Sequence, residues 1–420
     1  MNVLVVGGGA REHSLVWKLG QSPRVSNIYA APGNAGTSLI AENYDIQASD
    51  HQGLVRLAKE KSVDLVVIGP ETPLAAGIVD LFENQGIPAF GPNKEASRIE
   101  SSKVFAKELM LRSGIPCAAS RVFSSLTEAR DYVRSLQAPV VIKADGLAAG
   151  KGSIVANSTD DALAALSEIM EERVFGGAGD RVLVEECLSG REVSLLAFTD
   201  GRTVVPMVPA CDYKRVFDDD RGPNTGGMGA YSPPGFFDAR MVNLVKDTIL
   251  EPAVRAMARE GRLFKGVLYA GIMVTEDGAK ALEFNARFGD PENQVMIPRL
   301  QTDLVEIMLA VVAGRLQTVD VKWSDQACVG VVLASQGYPG RYATGFSIAG
   351  LDKVDPDILV FHGGTRVKGD SIVTDGGRVL TVVAGGRNMA EAREKVYRNV
   401  PRIWFEGCHH RTDIAEREVG

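Results

Sequence analysis

The stretch "ALEFNARFGDPENQ" puts a carboxylate, an amide and a guanidinium at alternate positions: Glu283, Asn285 and Arg287. Alternate side chains of a strand share a face, so these three point together while Phe284 and Ala286 point the other way. A carboxylate and an amide oxygen are hard donors suited to a cation that bridges phosphates. An arginine beside them suits the charge on a phosphoryl group in transfer. The pattern asks for phosphoryl chemistry.

A second stretch, "VIKADGLAAGKGSIVAN", resembles a P-loop at first sight. The spacing from Gly146 to Gly150-Lys151 is one residue short, and Gly152 stands where a hydroxyl would meet magnesium. The flanks "PVVIK" and "SIVAN" read as strands, so the glycines predict a hairpin flap over phosphates and not a P-loop.

Other candidates are spread along the chain. "VVGGGAREH" places Gly7 and Gly9 in a strand–turn–helix setting, but Glu12 stands where a dinucleotide fingerprint needs a small residue. A glycine turn at a helix start with Arg11 beside it suits a phosphate monoester instead. The turns at Asn34 and Glu71 follow the next strands, on the edge where such sheets take ligands. "LVEECLSGREVS" offers Glu185, Glu186, Leu188 and Glu192, a set able to face a purine and its ribose. "DYKRVFDDDRGPNTGGMGAYSPP" is read as one long functional loop, Asp212 to Pro234. The histidines (His13, His51, His362, His409, His410) have no metal spacing, and no nucleophile–base pair stands out.

The elements that must position these groups follow from the apolar pattern. Strands and helices alternate over the first ~100 residues, which predicts a doubly wound parallel sheet. One helix is expected through "PLAAGIVDLFENQG" and another through "KEASRIESSKVFAKELMLRSG". A strand-rich region follows, and a small α+β module closes the chain. The domains expected are 1–102, 103–325 (with a lid at 115–190) and 326–420.

Composition narrows the class. At 45% hydrophobic and 24% charged residues, the 420-residue chain can bury several cores. A net charge of −7 without basic runs argues against nucleic acid or an anionic membrane as partner. Five scattered cysteines suit a reducing compartment, and a strand from the first residues leaves no room for a leader; a cytoplasmic protein is expected.

With "APGNAG", "GPETPLAAGIVD", "KADGLAAGKG", "GPNTGGMGAYSP", "RFGDPENQ" and "HRTDI" added, the whole chain resembles the glycinamide ribonucleotide synthetases of the ATP-grasp superfamily. The resemblance implies an N-terminal α/β domain, a central ATP-grasp fold and a small C-terminal α+β domain. It implies a monomeric ligase joining glycine to 5-phosphoribosylamine with ATP, through a glycyl phosphate. The cofactor ion would be magnesium, with manganese as alternative, on Glu283 and Asn285. Lys103, Lys143 and the loop Gly146, Gly150, Lys151, Gly152 would meet ATP; Glu185, Glu186 and Leu188 would form the adenine hinge, and Glu192 would hold the ribose. Asp212, Lys214, Arg287, Gly289, Asp290 and Pro291 would surround glycine and the acyl phosphate, while Gly9, Arg11, Asn34 and Glu71 would hold the phosphoribosyl group. The chain departs from the family's usual residues at Cys211, Tyr213, His410 and Ala415.

Overall fold

The computed structural model describes residues 1–148 and 152–419. The N-terminal strands β1 (Asn2–Gly7), β2 (Asn27–Pro32), β3 (Glu42–Asn43), β4 (Leu65–Ile68) and β5 (Ala89–Phe90) form a parallel sheet in the order β3-β2-β1-β4-β5. The sheet is apolar on both faces because helices cover both. Val3 and Val5 pack with Leu15 and Val16 of the helix Ala10–Leu19, and Leu4 and Val6 pack with Leu54 and Leu57 of the helix His51–Glu60. Both long helices expected here are broken. Gly77 takes φ 93° between Glu71–Ala76 and Ile78–Asn84, a conformation its neighbours would resist. Ser102 is extended and caps the helix Lys103–Arg112 by accepting from the Phe105 N–H, so the chain turns there.

The lid is a sheet of β6 (Ser120–Phe123), β7 (Val140–Ala144), β8 (Ser153–Ala156) and β9 (Val182–Glu186), ordered β6-β9-β7-β8. β7 and β8 pair antiparallel, with Lys143 opposite Ser153, so the glycine stretch joins the two arms of a hairpin. Ile142, Val182 and Val184 pack on Leu166 and Ile169, giving the lid its own core. The segment "IPCAAS", expected as strand, pairs with the central sheet through a bridge from Cys117 to Ala281, packs Ile115 into the same core, and enters β6 at Ser120.

The central sheet is antiparallel: Val204–Pro206, Arg191–Thr199, Gly266–Thr275 and Gly278–Asn285, in that order. An irregularity opposite Gly271 and Ile272 interrupts the register just before Glu283, a device that re-aims side chains. The segment Asp212–Pro234 is not one loop. It holds a hairpin, Arg215–Phe217 with Arg221–Asn224, and then the strand Gly229–Ser232, which pairs with Ala327–Ser335. The C-terminal sheet therefore takes Cys211–Asp212 and Gly229–Ser232 from the middle of the chain, followed by Ala327–Ser335, Arg378–Gly386 and Ile358–His362. The helix Met389–Asn399 buries Ala392 and Val396 in the same core as Leu380 and Val382.

Candidate functional site

A cleft of about 540 Å³ opens where the lid, the central sheet and the N-terminal domain meet. Glu283 and Asn285 end the last central strand and line it, with Arg287 two residues on. Burial acts to raise the Glu283 carboxyl, but Lys143, Lys214 and Lys103 outweigh it and hold the group below the usual carboxylate range. Each lysine is fixed. Lys103 Nζ donates to the Gly146 carbonyl at 2.8 Å, and burial lowers its pKa. Lys143 Nζ donates to the Leu282 carbonyl and sits 2.8 Å from Glu185 Oε2. Lys214 contacts Glu192 closely and lies 3.6 Å from Asp212 Oδ1. Burial lifts Asp212 to about 7 despite that cation.

Two expected nucleotide contacts have other partners. Glu185 lines the cleft with its carboxylate buried between Lys143 and Lys107, whose Nζ lies 3.0 Å away. Glu192, expected to hold a ribose, is paired to Lys214. Glu186 and Leu188 line the cleft beside them. On the hairpin, Gly146 and Gly152 also line the cleft; a Cβ on Gly152 would lie 2.6 Å from that of Ala148. Gly150 and Lys151 fall outside the described residues.

On the opposite wall, Arg287 is held at both ends. Its Nε lies 3.0 Å from Glu71 and its Nη2 3.1 Å from Glu100, whose other oxygen accepts from the Ala286 N–H. Burial raises the Glu100 carboxyl; Glu71 feels the same burial, but Arg287 and Arg11 bring it below its usual value. Asp290 is tied to Arg378 at 2.9 Å and accepts from Gln294 at 2.7 Å. Arg378 also donates to the carbonyls of Gly226 and Asp290, bringing a C-terminal strand into the cleft.

The N-terminal turn differs from the expectation. Glu12 fills it: one oxygen accepts from the Gly9 N–H at 2.7 Å and the other pairs with Arg11 Nε at 2.6 Å. Gly9 is therefore not free to donate to an anion, and of this turn Arg11 reaches the cleft. Asn34 does not reach it. Its amide donates to the carbonyls of Gly8 and His362, and its oxygen accepts from Gly36 and Thr37, so it joins the N- and C-terminal domains. Gly289 and Pro291 stand behind the wall, with Pro291 packed on Gly227. Sequence reasoning missed Lys107, Glu100, Tyr269, Glu292 and Arg378. Glu292 lies inside the quoted "GDPENQ" run; Arg378 has no local signal at all.

The departures at Tyr213 and Ala415 meet each other: the Ala415 N–H donates to the Tyr213 hydroxyl at 3.0 Å, and Ala415 sits at φ 61°. Cys211 Sγ lies against the Glu192 carbonyl at 3.2 Å. None of Cys211, Tyr213, His410 and Ala415 lines the cleft.

Among the described residues no group of three or more His, Cys, Asp or Glu could hold a metal. Glu283 and Asn285 therefore offer two oxygen ligands, which fits an octahedral ion that completes its shell with phosphate oxygens and water.

Models of the N domain, the ATP-grasp (A) domain and the C domain of phosphoribosylglycinamide synthetase match residues 1–100, 101–293 and 328–417. A phosphoribosylamine–glycine ligase of Halalkalibacterium halodurans is 49% identical over 100% of this chain and 97% of its own. One from Caldanaerobacter subterraneus is 48% identical over 99% of each. The crystal structure of phosphoribosylamine–glycine ligase from Thermotoga maritima matches at TM-score 0.87 and 32% identity, over 98% of this chain and 100% of that one. The biotin carboxylase domain of a Hydrogenobacter thermophilus 2-oxoglutarate carboxylase, solved with ADP and magnesium, matches at TM-score 0.75 and 16% identity, over 97% and 91%. That last likeness is one of fold alone.

Proposed function

The chain belongs to the phosphoribosylglycinamide synthetase family, and we propose that its cleft works in two chemical steps through a glycyl phosphate. It is an ATP-dependent ligase that joins glycine to 5-phosphoribosylamine in purine biosynthesis, releasing ADP and phosphate. In the first step a glycine carboxylate oxygen bonds to the γ-phosphorus as the bond to ADP breaks. In the second, the amine of phosphoribosylamine attacks the acyl carbon, and phosphate leaves with the C–O bond electrons.

The observation that carries this reading is that Lys103, Lys143 and Lys214 together act on Glu283, with Arg287 lining the same cleft. Carboxylate activation by phosphoryl transfer needs positioning and charge, not a protein nucleophile. Magnesium, or manganese on the same oxygens, held by Glu283 and Asn285 would supply charge neutralisation on the phosphates. Lys103 and Lys143 hold the phosphates in line, and the hairpin Gly146–Gly152 covers them and excludes water. Glu186 and Leu188 face the adenine. Arg287, fixed by Glu71 and Glu100, turns its remaining donor surface to the transferring group. Asp212, with its carboxyl near 7, can take the proton shed by the attacking amine at neutral pH. Arg11 meets the ribose phosphate, with Asp290 at its edge.

We read the protein as a cytoplasmic monomer. Five free cysteines suit a reducing compartment, and no helix among the described residues is long and apolar enough to cross a membrane. ADP release, measured with glycine and freshly generated phosphoribosylamine each omitted in turn, tests the activity. Full turnover is expected only with both present. Equal ADP release without glycine would overturn the reading.

A further inference from the structure

The carboxylates of the cleft are almost all neutralised by partners in the chain. Arg287 takes Glu71 and Glu100, Arg378 takes Asp290, and Lys214 takes Glu192 and Asp212. Glu283 has no cation within ion-pair distance among the described residues, but Lys143, Lys214 and Lys103 outweigh its burial, and with Asn285 it is already assigned to the metal. Glu292 differs. It is 4% exposed and lines the cleft, yet among the described residues no cation lies within ion-pair distance of it. Arg287 and Arg378 feel its charge only from further off. Both hydroxyls near it lie on the same oxygen, Oε1: Tyr269 at 2.9 Å and Ser194 at 3.2 Å, the two hydroxyls being hydrogen-bonded to each other at 2.7 Å. Oε2 has no protein donor among the described residues, and it lies where a side chain on residue 289 would be: a Cβ on Gly289 would come within 2.6 Å of it.

A buried carboxylate without a cation is costly unless a ligand supplies one. Resting on the ligase reading above, the substrate with a fixed positive charge is glycine, whose carboxylate must face the phosphates while its ammonium points away from them. We propose that Glu292 anchors the α-ammonium of glycine and so sets the enzyme's preference for an amino acid over other small carboxylates. Tyr269 and Ser194 hold Oε1, which leaves Oε2 oriented for the ammonium. Asp212 is a poorer anchor because Lys214 already faces it.

Calorimetric titration of glycine and of glycolate, which replaces the ammonium by a hydroxyl, into the full chain holding magnesium and a non-hydrolysable ATP analogue tests this. Wild type should prefer glycine by at least tenfold. Glu292→Gln should weaken glycine about 50-fold and collapse that preference, with nucleotide affinity unchanged within threefold. Glu292→Asp, which keeps the charge, should retain a preference for glycine, an outcome that loss of a merely structural hydrogen bond would not produce. Equal binding of glycine and glycolate by wild type overturns the proposal even if the Gln variant fails to fold. Undiminished preference in Glu292→Gln overturns it while leaving the ligase reading intact. Absence of glycine binding to wild type overturns both.

Discussion

The two walls of the cleft handle charge in different ways. On the nucleotide wall, Lys103, Lys143 and Lys214 act together on Glu283 and outweigh its burial, while Lys143 also pairs with Glu185 and Lys214 with Glu192, so the cations share their carboxylates. On the substrate wall, Arg287 is matched by Glu71 and Glu100, and Arg378 by Asp290, so the charges are nearly balanced. The difference teaches what each wall can recognise. Lysines that share carboxylates can turn toward a polyanion, whereas arginines each fixed by their own carboxylates hold shape and select by geometry. The first wall should therefore fail through chemistry when altered, the second through affinity.

Glu283→Gln breaks the first wall at its centre. It should lower turnover on the order of 10²–10³-fold with the fold unchanged, because the cation loses a charged ligand while the lysines keep their other partners. Circular dichroism and steady-state rates over a range of magnesium check it. Near-normal turnover at ordinary magnesium would remove Glu283 from the metal site.

That wall was also the more legible one in the sequence. Glu283 and Asn285 lie on one strand, and the hairpin glycines lie between two apolar runs, so local pattern is enough. The second wall is built from distant pairs: Arg287 meets Glu71 across 216 residues and Arg378 meets Asp290 across 88. No window of sequence carries that information. Asn34 shows the limit most plainly, since a turn facing a ligand and a turn facing another domain share the same residue types. The hairpin Arg215–Asn224 was hidden for a different reason. Its strands, of three and four residues, are too short to show alternation, and a run of three aspartates, Asp218–Asp220, stands between them.

Arg11→Ala sharpens the comparison on the substrate wall. We expect the KM for phosphoribosylamine to rise roughly 10- to 100-fold, the loss of one charge-assisted contact, with the KM for ATP changed by less than about threefold. An effect confined to ATP would move Arg11 to the other wall.

Behind the substrate wall, His13 and His362 join the N- and C-terminal domains, His13 Nδ1 accepting from the His362 N–H at 2.8 Å. Burial, then the neighbouring His362, lowers His13 to about 3, and burial lowers His362 to about 4. Both bind protons more weakly folded than unfolded. Their contribution is therefore present above about pH 6.5 and lost as pH falls toward 4. By pH 5 each should cost roughly 2 kcal/mol relative to neutral pH. Thermal melts from pH 7 to 5 should fall less steeply for His13→Asn with His362→Asn than for wild type. Parallel curves would show that this junction does not titrate.

The central claim is that the lysine-rich wall activates glycine by direct phosphoryl transfer to its carboxylate. Glycine labelled with oxygen-18 in the carboxylate, turned over with ATP and phosphoribosylamine, tests it at the bond concerned. One labelled oxygen should appear in the released phosphate for each product formed, with ADP as the nucleotide product. Unlabelled phosphate, or label in AMP, would contradict the glycyl phosphate and the role assigned to that wall.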